Sequence, residues 1–210
     1  MKHSPRIARL LFAATILVPA TLVSQGVAHA VVRPADEAAP VIAVTQHDGA
    51  GGVHVERSER GELSKAALRS VDVSRVDYRV DRAEQTLTVS IKVRHRPVAL
   101  SHPLRQYFAT VLITDLPFVV LISRPGKSRV STIAADDGSL RTCAGGTTKT
   151  SNRGRVVTQT VPFSCLKGVE HAKLWSGAGI ERRGGGDVAY DTAHRTRDLP
   201  LTAYVAPPPA

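Results

Sequence analysis

The chain lacks the signatures of the common hydrolytic sites. No Gly-x-Ser-x-Gly elbow exposes a nucleophilic serine, and no His-Glu-x-x-His sets two imidazoles on one helical face. Pro125-Gly126-Lys127-Ser128 imitates the end of a phosphate-binding loop. That motif needs a glycine where Leu121 stands and a helix where the strand-like Arg129–Ala134 follows, so the four residues read as a turn. Aromatics make up only 4% of the chain. None are interleaved with the basic pairs Arg57/Arg60, Arg94/Arg96, Arg153/Arg155, Arg182/Arg183 and Arg195/Arg197, which argues against nucleic acid as a partner. No segment sustains an apolar stripe at the helical period.

Metal-binding patterns are equally scarce. His95 and His102 share one loop, while His47, His54, His171 and His194 are scattered at spacings that fit no zinc ligand set. Asp136, Asp137, Asp187 and Asp191 offer oxygens of the kind calcium takes, but Asp136-Asp137-Gly138 reads first as a hairpin turn. No metal and no cofactor is expected. There are two cysteines, Cys143 and Cys165, with no His or Cys beside either.

What is present begins with a leader. Lys2, Arg6 and Arg9 precede the run Leu10–Val18, Pro19 interrupts it, and Ala28-His29-Ala30 supplies small residues for cleavage. This pattern predicts a signal peptide over residues 1–30, secretion, and no stable membrane span after cleavage. In an oxidising compartment two lone cysteines pair, so Cys143 and Cys165 are expected to form a disulfide. The formal charge of +10 includes the three leader cations. What remains suits an anionic envelope polymer or a solvated surface. The loop from Arg94 to Arg105 carries Arg94, His95, Arg96, His102 and Arg105 without one acidic group. Arg94, Arg96 and Arg105 are the candidate anion-binding residues.

Residues 31–65 are rich in Ala, Gly and charge and read as a flexible N-terminal segment with two weak β-like runs, Val41–Thr45 and Gly52–Val55. From there to residue 198 the pattern is β. Val76, Tyr78 and Val80, a polar turn at Asp81–Glu84, then Leu87, Val89, Ile91 and Val93 make a hairpin with one buried face. Strands follow at Tyr107–Thr114, Phe118–Ser123, Arg129–Ala134, Ser139–Cys143, Arg155–Val161 and Ala172–Ile180, with a short helix possible at Leu63–Arg69. Residues 199–210 read as a Pro-rich tail. Seven to eight short strands predict an all-β fold, an antiparallel β-sandwich of immunoglobulin-like or similar kind; a closed barrel is the competing architecture. Tyr78, Tyr107 and Trp175 are expected to pack in the core or at its rim, and Trp175 with Tyr190 is the weaker idea of a glycan platform.

The segments DYRVDRAEQTLTVSIKVR, DDGSLRTC, VTQTVPFSCL and DVAYDTAHRT, spread over Val71–Arg197, resemble a group of uncharacterised secreted actinobacterial proteins. The most specific part is the valine-rich strand before Pro162-Phe163-Ser164-Cys165-Leu166, with the other cysteine upstream. The resemblance implies export, a β-sandwich and the Cys143–Cys165 pair, and says nothing about catalysis. The expected function is therefore a secreted, non-enzymatic domain that binds at the cell envelope or extracellular surface, its partner an anionic envelope polymer or another secreted protein. A secreted hydrolase or enzyme inhibitor with a loop-borne site is the competing expectation.

Overall fold

The computed structural model describes residues 40–56, 63–96, 104–114, 119–124, 127–134, 140–166, 169–182 and 186–202. The expected leader, His102, Asp136, Asp137 and the end of the Pro-rich tail lie outside them. The strands are β1 (Val41–His47), β2 (His54–Glu56), β3 (Val73–Asp81), β4 (Thr86–Val93), β5 (Leu104–Ile113), β6 (Val119–Ser123), β7 (Arg129–Ala134), β8 (Leu140–Ser151), β9 (Val156–Pro162), β10 (His171–Arg182), β11 (Val188–Thr192) and β12 (Asp198–Pro200). The helix α1 (Lys65–Arg69) begins at Ser64, whose hydroxyl accepts from Ala67 N at 3.2 Å.

Every ladder is antiparallel, and the strands follow one path: β1-β3-β4-β9-β8-β7-β6-β5-β10-β11-β2, with β12 on the end of β10. The path doubles back on itself at β8. Its first residues, Leu140–Thr142, pair with β7, and Thr147–Ser151 pair with β9. Between them Gly145 takes φ +78°, a backbone state that costs a side-chain-bearing residue energy. Two packed antiparallel sheets result, as the alternation predicted.

The described residues form twelve strands rather than the expected seven to eight. The additional strands come from both ends. β1 and β2 lie within residues 31–65, where the two weak β-like runs were noted, and β11 and β12 follow Arg182. β2 and β12 are only three residues long, and all four are held by pairing with a neighbour. Leu199 and Leu201, at 1% and 2% exposed, bury in the core where a tail was expected.

The β3–β4 hairpin forms where predicted. Asp81 Oδ1 accepts from Glu84 N at 3.0 Å, and Gln85 closes the turn at φ 51°. Val76, Tyr78, Val80, Leu87, Val89 and Ile91 face Phe108, Leu112, Leu121, Leu174 and Ile180 in one buried cluster. Each fully buried aliphatic side chain of this kind contributes about 1.5–3 kcal/mol. Burial pushes the Tyr78 phenol up to about 12.

One polar peg crosses this core. Gln159 on β9 is fully buried; its amide donates to Phe108 O at 3.0 Å and Ser123 Oγ at 2.9 Å, and its carbonyl accepts from Thr110 Oγ1 at 2.9 Å. Ser176 Oγ donates to Thr110 Oγ1 at 2.9 Å. Strands β5, β6, β9 and β10, from both sheets, are thus tied at one point.

Cys143 and Cys165 are joined, as expected. The bond fixes the bend of β8 to the 3-10 turn Phe163–Leu166 that follows β9. Gly146 makes room for it, because a Cβ there would lie 2.6 Å from Cys143 Sγ.

Candidate functional site

Strand parity separates the two outer faces, and they differ in chemistry. On the first sheet the outward positions are Ala43 and Thr45 on β1, Arg75, Asp77 and Arg79 on β3, Thr88, Ser90 and Lys92 on β4, and Thr158 and Thr160 on β9. Polar pairs knit this surface: Thr88 to Thr160 at 3.2 Å, Ser90 to Thr158 at 2.9 Å, and Arg75 to Asp77 at 2.7 Å.

On the second sheet the middle of the outward face is apolar and aromatic, flanked by Arg105, Lys173 and Glu181. Ala109 on β5 and Val120 and Ile122 on β6 are buried in a small cluster apart from the main core, with Tyr107 and Val111 of β5 partly buried against it. Beside them on β10 stand Trp175 and the glycines Gly177 and Gly179, and on β11 Val188 and Tyr190. The Tyr107 ring lies across Gly179, where a Cβ would stand 2.3 Å from Tyr107 Cζ. Burial raises the Tyr107 phenol, with Glu181 and Glu56 adding to the shift. Tyr190 stacks on His54 of β2 with centroids 5.5 Å apart and planes inclined at 24°. The Arg195 guanidinium sits 5.2 Å above the Trp175 ring.

Tyr78 is in the core, while Tyr107 and Trp175 are half-buried and take the outward parity of β5 and β10. The signal was in the alternation. Leu174, Ser176, Ala178 and Ile180 bury, so Trp175 shares the outward parity of His171 and Lys173. Trp175 and Tyr190 do share one face. Each has a ring face covered from within the chain, by Arg195 and by His54.

The three candidate arginines are placed differently from one another. Arg94 is half-buried, its Nε 3.0 Å from Asp72 Oδ1, and its Nη2 donates to Asp48 O. Arg105 Nη1 lies 3.9 Å from Glu181 Oε1. Arg96 is exposed. The absence of acidic residues from the loop sequence gave no sign of these carboxylates, which come from distant positions.

Among the described residues no group of three or more His, Cys, Asp and Glu side chains is arranged to hold a metal ion. His47, His54, His95, His171 and His194 are exposed. Asp187 and Asp191 are each 2% exposed. Asp191 Oδ2 accepts from Val73 N at 2.7 Å and its Oδ1 from Thr192 N at 2.9 Å, so this carboxylate is engaged in tying β11 to β3. No protein-family model matches the chain, and no curated protein matches it.

Proposed function

We propose that the protein is exported and serves as a non-enzymatic binding domain at the cell envelope or extracellular surface, where the outer face of its second sheet docks another secreted protein. The observation that carries this reading is the contrast between the two outer faces. An antiparallel sheet with a solvated face ordinarily carries polar residues there, as the Thr, Ser, Arg and Asp of the first sheet do. The second sheet instead carries Trp175, Tyr107, Tyr190, Val111 and Val188. Trp, Tyr and Arg are the residues that most often anchor protein interfaces, and Arg195 on Trp175 adds a cation already positioned by its ring. The disulfide is compatible with an oxidising compartment. An anionic polymer held by Arg94, Arg96 and Arg105 is the weaker proposal, since Arg94 and Arg105 already face carboxylates.

The test is affinity isolation from the producer's culture medium and envelope fraction with the intact exported protein as bait. A Trp175→Glu variant should lose a stoichiometric partner protein that the parent and a Thr88→Glu variant, altered on the opposite face, both retain. Equal recovery by all three proteins overturns the reading.

A further inference from the structure

A cluster of charge lies at the seam where the two ends of the strand path meet. Asp48 follows β1, Asp72 precedes β3, Arg94 follows β4, and Asp191 and His194 belong to β11 and its exit. Asp48 N donates to Ser74 O at 3.2 Å, and Asp48 O accepts from Arg94. Asp48 Oδ2 is enclosed and has no hydrogen-bond partner. It points at Gly52, and so does Asp191: a Cβ there would stand 3.5 Å from Asp48 Oδ2 and 2.8 Å from Asp191 Oδ1. Three carboxylates therefore share this seam with one guanidinium, which is bonded to Asp72. His194 faces Asp48 from the exposed side.

We propose that Asp48 and Asp191 form a proton-operated latch, which ties the β1–β2 connection to the second sheet in acid and loosens it at neutral pH. A proton on either carboxyl removes one of the two negative charges that converge on Gly52, and makes the burial of the enclosed Asp48 oxygen less costly. Without it, two negative charges meet across Gly52, with Asp72 adding to the repulsion. The electrostatics agree in direction. Burial, then the Asp48 and Asp72 charges, raise Asp191 from 3.8 to about 6, against the hydrogen bonds it accepts from Val73 and Thr192. Burial, with Asp72, also raises Asp48, against the pull of His194, Gly49 N and Arg94.

A carboxyl whose folded value lies above its unfolded one holds its proton more tightly when folded. The stability contributed by Asp191 is therefore full below 3.8 and is lost as pH rises through about 6. The element affected is β2. It pairs only at Val188↔Glu56, Ala189↔Val55 and Tyr190↔His54, and the chain reaches it through residues 48–53. The latch is independent of the binding reading, although β2 borders the proposed docking face.

Thermal unfolding of the intact exported protein from pH 4.5 to 8 tests the latch, comparing wild type with Asp48→Asn and Asp191→Asn. The Asn amide removes the charge permanently, as the proton does in acid. Wild type should melt lower as pH rises through about 6, whereas Asp48→Asn should have a flatter profile and exceed wild type at pH 7.5. Amide exchange at His54–Glu56, corrected for its intrinsic pH dependence, should quicken at least about tenfold between pH 5 and 7.5 in wild type and not in Asp48→Asn. Parallel melting profiles for wild type and Asp48→Asn overturn the proposal. If Asp191→Asn fails to fold, Asp48→Asn still decides, because Asp48 holds no backbone N–H of another strand.

Discussion

Gln159 shows what a single buried polar residue does in a small sandwich. Within VVTQTV it takes the inward parity of Val157 and Val161, so its burial was legible from alternation. Its partners were not, because Thr110, Ser123 and Phe108 come from strands far away in sequence. Replacing it with Leu conserves volume but leaves Phe108 O and Ser123 Oγ without this donor in a dry core. The expected cost is about 2–4 kcal/mol, read as a shift in urea midpoint at unchanged slope. An unchanged midpoint would mean that water or a rearranged neighbour replaces the amide. Trp175 carries the converse lesson. Its outward parity was present in the sequence, but its place within a strand left core and rim equally open.

Strand β8 marks the limit of what alternation reveals. The β3–β4 hairpin was legible because seven large apolar residues, three before a short turn and four after it, repeat with period two. The second half of β8, Ala-Gly-Gly-Thr-Thr-Lys-Thr-Ser, has no such repeat, yet it is continuous strand. One of its faces is solvated, and the other is filled by Gly146 and Thr148, at the corner where the sheets join. The disulfide holds that corner. Removing it with Cys143→Ser and Cys165→Ser opens a loop of 22 residues and should cost about 3 kcal/mol in the loop-entropy picture. Gly145→Ala should cost about 1 kcal/mol with the disulfide intact, because φ +78° disfavours any Cβ. Chemical denaturation of the two variants checks both figures, and a larger loss from Gly145→Ala than from the double serine variant would displace the bridge as the main constraint.

At the scale of the whole molecule, the net charge of +10 has no single centre among the described residues. Arg75, Arg79, Arg94 and Arg105 each face a carboxylate. Arg94/Arg96/Arg105→Ser should therefore bind purified cell wall at low salt within about twofold of the parent, since Arg94 and Arg105 already face carboxylates and a single exposed charge contributes little. A loss of retention in the triple variant would restore the anion-binding proposal. The proposed export has its own check: intact mass should place the mature N-terminus at Val31, and recovery of the uncleaved chain from membranes would contradict it.

The strand path begins with β1 and ends with β2, although the two are neighbours along the chain. β1 finds its partner within the next few dozen residues, at Val41↔Asp81 through His47↔Arg75. β2 must wait for β11, as in Val55↔Ala189. A chain that emerges from its N-terminus thus presents His54–Glu56 as an unclaimed edge until nearly all of it has emerged. Pairings of such long range make folding slow, on the order of milliseconds to seconds. During that interval a chaperone or a second copy of the chain can compete for the same edge, so the last ladder formed is also the first place where assembly can go wrong.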